Sequence, residues 1–174
     1  MVYRLGFLLT SVCLLTFSSC NSNKAAFDYN QDVTNAIANV NESELSLGKK
    51  IGPYTQNRPL DPKEFEEFLS KRTAEINGAL DRAEKFQAPD SPSAKDFKAK
   101  LDVFIASKRS MVDDDYPKVL KVIQDNPQPN VNSIALIFQI FEQRKIADDK
   151  AFRPLVAAQE KMAKAHNFTI EPAK

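Results

Sequence analysis

Four charged residues stand where helical periodicity calls for apolar ones: Glu44, Arg72, Lys108 and Asp148. Each falls on the three-four line of its own amphipathic segment. Folding the chain back at each loop puts neighbouring members at similar heights, within about one helical turn of ~5.4 Å. Two acids and two bases at one level make a candidate charge-neutral polar layer. Such a layer adds little net stability, because desolvation offsets attraction, but it can fix register. The plainer reading is that these long side chains sit at the stripe edge and reach water. A ligand site is the third.

Other chemistry-bearing residues are sparse. His166 is the sole histidine and shares a helix face with Met162, four residues earlier. A haem or copper site needs a second ligand from another helix, and Met111 is the distant methionine that could supply it. No Cys-x-x-Cys-His and no Glu-x-x-His occurs, so His166 reads as a terminal surface residue and no metal is expected. Asp113-Asp114-Asp115 lacks the alternating ligands and glycine of an EF-hand loop, and reads as a solvated acidic run. Beyond the first segment the glycines are Gly48, Gly52 and Gly78. Nucleophile elbows and phosphate-cradling loops need more glycines than that, so the chain reads as a non-enzyme without cofactor.

The N-terminal segment carries a different chemistry. Arg4 gives a positive start, residues 5–17 are apolar, and Ser18 and Ser19 precede Cys20. The apolar stretch is shorter than the about 20 residues that span a bilayer. A positive region, an apolar region and small residues together describe a cleaved export signal. Phe17-Ser18-Ser19-Cys20 resembles the lipobox of bacterial lipoprotein precursors, although the family usually has Leu where Phe17 stands. The resemblance covers these first residues alone. It implies cleavage between Ser19 and Cys20 and a covalent lipid on the Cys20 thiol. Asn21, where an Asp would mark inner-membrane retention, implies the outer membrane, facing the periplasm, where a bacterium has two. One acyl chain anchors only marginally, whereas two or three hold firmly.

Cleavage would remove Arg4 and no acidic residue, leaving 23 basic and 23 acidic side chains. A neutral domain has no field to attract nucleic acid, so none is expected as partner. Cys13 would leave with the signal and lipid would occupy Cys20. No disulfide or thiolate chemistry remains, and packing must carry stability.

The elements that position these residues follow from periodicity. The chain divides into a signal at 1–19, a lipidated cysteine and short tether at 20–25, a helical domain at 26–168 and a tail at 169–174. The first helix spans about 26–51, with Tyr29, Val33, Ile37, Val40, Leu47 and Ile51 on one face and Gly52-Pro53 as its stop. The second starts at Asp61 as N-cap, with Pro62 in the first helical position. Glu64 completes a capping box, and Leu60 and Phe65 form a hydrophobic staple. Its stripe continues through Phe68, Leu69, Ile76, Ala79, Leu80, Ala83 and Phe86.

Ser91 or Ser93 caps the third helix, which carries Phe97, Leu101, Phe104, Ile105, Met111 and Val112 until Pro117 kinks or breaks it. Val119, Leu120, Val122 and Ile123 continue its face. The fourth begins near Asn132. Residues 134–141 are apolar enough for a buried strand, but the pattern runs on through Ile146, Phe152, Leu155 and Met162 and favours helix, with a kink or restart at Pro154.

The expected fold is all-α, an antiparallel up-down four-helix bundle with proline kinks or breaks in helices three and four. The expected role is that of a lipid-anchored envelope protein whose domain binds another envelope protein. A small-ligand or cofactor carrier using the bundle interior is the alternative.

Overall fold

Asp61 and Pro62 begin a helix as their types require. The Asp61 carboxylate accepts from the backbone N–H groups of Lys63 at 2.8 Å and Glu64 at 3.3 Å, and Pro62 needs no donor in the first turn. The same device recurs at Ser91, whose hydroxyl accepts from Ala94 N–H at 3.2 Å ahead of Pro92. At Asn130 the cap is reciprocal. Its side chain accepts from Ser133 N–H, and Ser133 Oγ accepts from Asn130 N–H, both at 3.0 Å.

These caps define α2 (Pro62–Lys85), α3 (Pro92–Ser110) and α5 (Val131–Ala165), preceded by α1 (Cys13–Thr55). α3 passes through a π-helical turn (Met111–Asp115) into α4 (Tyr116–Asp125). The computed structural model describes residues 13–170, with side chains from Ser22 onward. Arg4, the first part of the apolar segment and tail residues 171–174 lie outside the described residues. Ser19 and Cys20 fall within α1, but their side chains are not among those described. The described chain is all-helical, without strands, and makes a bundle of four rods: α1, α2, α3 with α4, and α5.

Several local expectations are corrected. Residues 20–25, read as a tether, continue α1. Gly52-Pro53 does not stop that helix, which reaches Thr55. Asn57 ends it in the left-handed region, φ 64°, with Arg58 N–H donating to Pro53 O and Asn57 N–H to Tyr54 O. That is the paired-bond C-cap in which Asn replaces glycine. Glu64 does not close a capping box; its carboxylate pairs with Lys50 across the α1–α2 interface. The apolar run at 134–141 is helix.

Pro117 does not open a loop. It lacks the N–H that would meet Asp113 O, and its ring crowds that carbonyl. The chain answers with a wider turn, in which Tyr116 N–H donates to Met111 O. Helix α5 likewise runs through Pro154 without interruption.

The core joins one stripe from each rod. Val33, Ile51, Phe65, Ile76, Phe97, Leu101, Ile123, Ile137 and Met162 are all at 1% exposure or less. α1 packs chiefly on α2, and α3 chiefly on α5. The Tyr29 and Phe97 rings meet edge to face at 5.8 Å, and Tyr54 Oη donates to Asn126 O at 2.7 Å. Helix α5 departs from the expected stripe. Leu155 and Met162 are buried, but Ile146 and Phe152 are 71% and 41% exposed. Its inward line is Ser133, Ile137, Arg144, Ala151, Leu155, Ala158 and Met162.

Asp61→Ala leaves two first-turn donors without their acceptor. Urea unfolding should show a loss of about 1 kcal/mol, with an unchanged slope against denaturant. No loss would mean that Pro62 and the Leu60–Phe65 contact suffice to start α2.

Candidate functional site

Lys108 points inward from the last turns of α3 and its side chain is 4% exposed. Burying an ammonium costs several kcal/mol unless carboxylates and hydrogen bonds meet it. Two do. Glu44 Oε1 from α1 lies 2.7 Å from Nζ, and Asp148 Oδ2 from α5 lies 3.1 Å away. The Glu44 contact is close but off the direction of a regular hydrogen bond, so it is an ion pair first. The ammonium also stands 5.4 Å from the centre of the Phe104 ring. Three rods thus meet on one cation.

Arg144 extends the centre. It is 8% exposed and lies one helical turn before Asp148. Its Nε and Nη2 donate to Asp148 Oδ1 at 3.0 and 2.7 Å, and Nη1 donates to Ser107 O at 2.9 Å. Nη2 also reaches Ser107 Oγ. Asp115, from the π turn, places Oδ2 3.8 Å from Nη1. Asp115 is therefore not part of a fully solvated acidic run; Asp113 and Asp114 are exposed while it is half-buried against Arg144. Lys118, one turn on, holds the other Asp115 oxygen at 3.3 Å, so three carboxylates meet three cations.

Glu44, Lys108 and Asp148 come together as the helical register places them. Arg72 does not join them. It pairs with Glu75 on its own helix at 2.6 Å and lies over the Phe68 ring at 5.1 Å. Glu75 also accepts from Ser43 Oγ at 3.2 Å. Ser43, Arg72 and Glu75 line a shallow groove between α1 and α2, in which Arg72 already has its acid.

Burial holds the Glu44 carboxyl above the ordinary carboxylate range; Lys108 opposes this and the Asp148 charge adds to it. Tyr116 stands beside the same acids at 3% exposure, and its hydroxyl has no hydrogen-bond partner. Burial, then the Glu44 and Asp148 charges, push that phenol well above its usual value, so it stays protonated. A cavity of about 190 Å³ opens between α1, α4 and α5, with Glu44, Asp115, Tyr116, Arg144 and Asp148 in its wall.

His166 is buried rather than a surface residue, at 7% exposure. Nδ1 lies 3.2 Å from Asn23 Oδ1 and Nε2 lies 2.9 Å from Ser91 Oγ. An amide oxygen only accepts, so Nδ1 carries a proton, and Nε2 accepts from Ser91 when the ring is neutral. Serine, histidine and an amide are thus in relay order. Ser91 Oγ, however, is also the cap of α3, and the relay ties the ends of α1, α3 and α5 together. Among the described residues, no group of three or more His, Cys, Asp or Glu side chains is arranged to hold a metal ion.

No protein-family model matches the chain, and comparisons with curated proteins and with solved structures found no significant match. Function must therefore be argued from geometry.

Because Glu44 is held more tightly protonated in the folded chain than in the unfolded one, its contribution is complete below the ordinary carboxylate pKa. It is lost as pH climbs through the raised value. Unfolding free energies measured from about pH 4 to about pH 7 should show wild type losing ground to Glu44→Gln as pH rises. A difference that is flat, or that grows in favour of wild type, contradicts this environment for Glu44.

Proposed function

We propose that this chain is a lipid-anchored envelope protein whose helical domain binds another envelope protein without catalysing a reaction. Its signal ends at Ser19 and its lipid sits on Cys20, with the domain on the periplasmic face of the outer membrane where there is one. The lipobox-like residues carry the anchor. No described helix is long and apolar enough to cross a membrane, which fits attachment by lipid.

The interaction reading rests on one observation, the outward side of α5. Val131, Phe138, Ile146 and Phe152 are 83%, 55%, 71% and 41% exposed. Val131, Phe138 and Ile146 lie on the side of the helix away from Ile137, Leu155 and Met162, and Phe152 lies at its edge, its ring 6.0 Å from that of the buried Phe104. Apolar side chains lined up in water for this length mark a surface that gains by being covered. Glu142, Lys145, Asp149 and Arg153 lie among them on the same side of the helix, which suits a partner surface of mixed charge and apolar groups.

The bundle is read as antiparallel and up-down, with bends at Pro117 and Pro154. Lys50 with Glu64 and Ser43 with Glu75 support opposite directions for α1 and α2. Asn30 with Gln159 and Asn23 with His166 do the same for α1 and α5. A second reading, a small-ligand carrier, draws on the cavity beside Lys108.

Two experiments test this. Cys20→Ala should abolish incorporation of labelled fatty acid and leave unprocessed precursor; labelling that persists would put the anchor elsewhere. Cross-linking in native membranes followed by purification should recover the protein with a partner. Phe138→Lys with Ile146→Lys should lose that partner without loss of thermal stability. Recovery of the chain alone, or of the same partner with the double variant, would refute an α5 interface.

A further inference from the structure

Helix α1 continues through Cys20 instead of meeting it across a loose tether. Cys20 therefore has a defined place on the helix surface. At about 100° per residue, the buried line of α1, with Tyr29, Val33, Val40 and Leu47, runs along the side opposite Cys20. Two large apolar residues of α1 are exposed, Phe27 at 39% and Leu45 at 60%. They follow Cys20 by about two and about seven whole turns. All three thus share the outward side of the helix, with Phe27 about 10 Å and Leu45 about 38 Å from Cys20 along its axis.

Isolated apolar residues are ordinary on a protein surface. These two are informative because both fall in line with the position that would carry lipid. The Phe168 ring backs Phe27 edge to face at 5.8 Å, which holds the Phe27 ring at the surface. Charge does not oppose a bilayer here. Lys24 pairs with Asp28 at 2.5 Å, and Glu42 and Lys49 carry opposite signs on the same side. A row that is neutral in sum suits headgroups of either net charge.

We propose that the outward side of α1 lies along the headgroup layer of the bilayer, with Phe27 and Leu45 dipping into it, so that the domain rests on its side. Lipid is the occupant of this surface because the anchor position, Phe27 and Leu45 form one row, and a lipid on Cys20 keeps that row at the membrane. Attachment makes the contact intramolecular, with an effective concentration of about millimolar order for a short link. A contact too weak to recruit a free domain therefore suffices to orient an anchored one. Phe and Leu are also the side chains that interfacial helices bury to shallow depth. This inference rests on the lipid-anchor reading and leaves the apolar side of α5 to a partner.

The chain has no tryptophan, so a single introduced one reports alone. Phe27→Trp, Leu45→Trp and Val103→Trp, the last at a 57% exposed position on α3, are made in the full chain and purified with their lipid. Each is placed in phosphatidylcholine vesicles brominated near the headgroup end of the acyl chains. Quenching in the Phe27→Trp and Leu45→Trp proteins should exceed that in Val103→Trp several-fold, with blue-shifted emission in those two alone. Quenching in Phe27→Trp without quenching in Leu45→Trp would mean that the domain stands on its end, and would overturn the proposal. Equal quenching in all three would do the same. A photo-cross-linker in place of Leu45 should label lipid in native membranes; capture of a protein there would assign the row to a protein partner instead. Mass spectrometry of the same samples separates this result from the anchor itself. Acylated Cys20 without quenching in Leu45→Trp rejects the orientation and keeps the anchor, whereas unacylated Cys20 removes both.

Discussion

A buried ammonium constrains the bundle. Lys108 has lost nearly all its water, and its charge is tolerable only while Glu44 and Asp148 stay within ion-pair reach. Those acids come from α1 and α5, so the pairing fixes the height of three rods at once. Sliding any of them by one turn, about 5.4 Å, would leave a charge in the interior without its counterpart. Apolar stripes resist such slippage weakly, because one aliphatic side chain replaces another at similar cost. The charge centre supplies the register that the stripes leave loose.

Neighbouring structure follows from this centre. Arg144 must lie inward to hold Asp148, so α5 turns a guanidinium to the core and leaves Ile146 to solvent. Asp115 and Tyr116 reach the centre from the widened turn that Pro117 imposes. At the far end, His166 joins Asn23 and Ser91 in a second polar tie. That tie lies close in sequence to Cys20. A lipid there would hold the end of the bundle where α1, α3 and α5 are already fastened together.

Much of this was legible in the sequence. Asp61 and the stripes of the first three helices are read correctly because caps and three-four spacing are local signals, and Ser91 is the one of the two offered serines, Ser91 and Ser93, that caps the third helix. Glu44, Lys108 and Asp148 stand out as charges on apolar lines. Arg144 was missed, although it lies seven residues from Ile137 on the same line and four before Asp148. An arginine attracts no attention in a search for apolar residues, whereas Ile146 and Phe152 do. Arg72 was misassigned because periodicity gives height but not which neighbour a long side chain chooses, and Glu75 was nearer. Glu64 was drawn from its cap to Lys50 for the same reason. Asn57 took the role expected of Gly52, since asparagine also enters the left-handed region. Tertiary partners decided each of these, and local pattern does not contain them.

The central claim is that Lys108 is a buried cation balanced by Glu44 and Asp148. The direct measurement is the unfolding free energy of Lys108→Met compared with that of Lys108→Met, Glu44→Gln and Asp148→Asn combined. Removing the cation alone should cost about 3–5 kcal/mol, because two buried carboxylates lose their partner. Neutralising all three should recover most of that loss. A single variant as stable as wild type, or a triple variant no better than the single, would contradict the account.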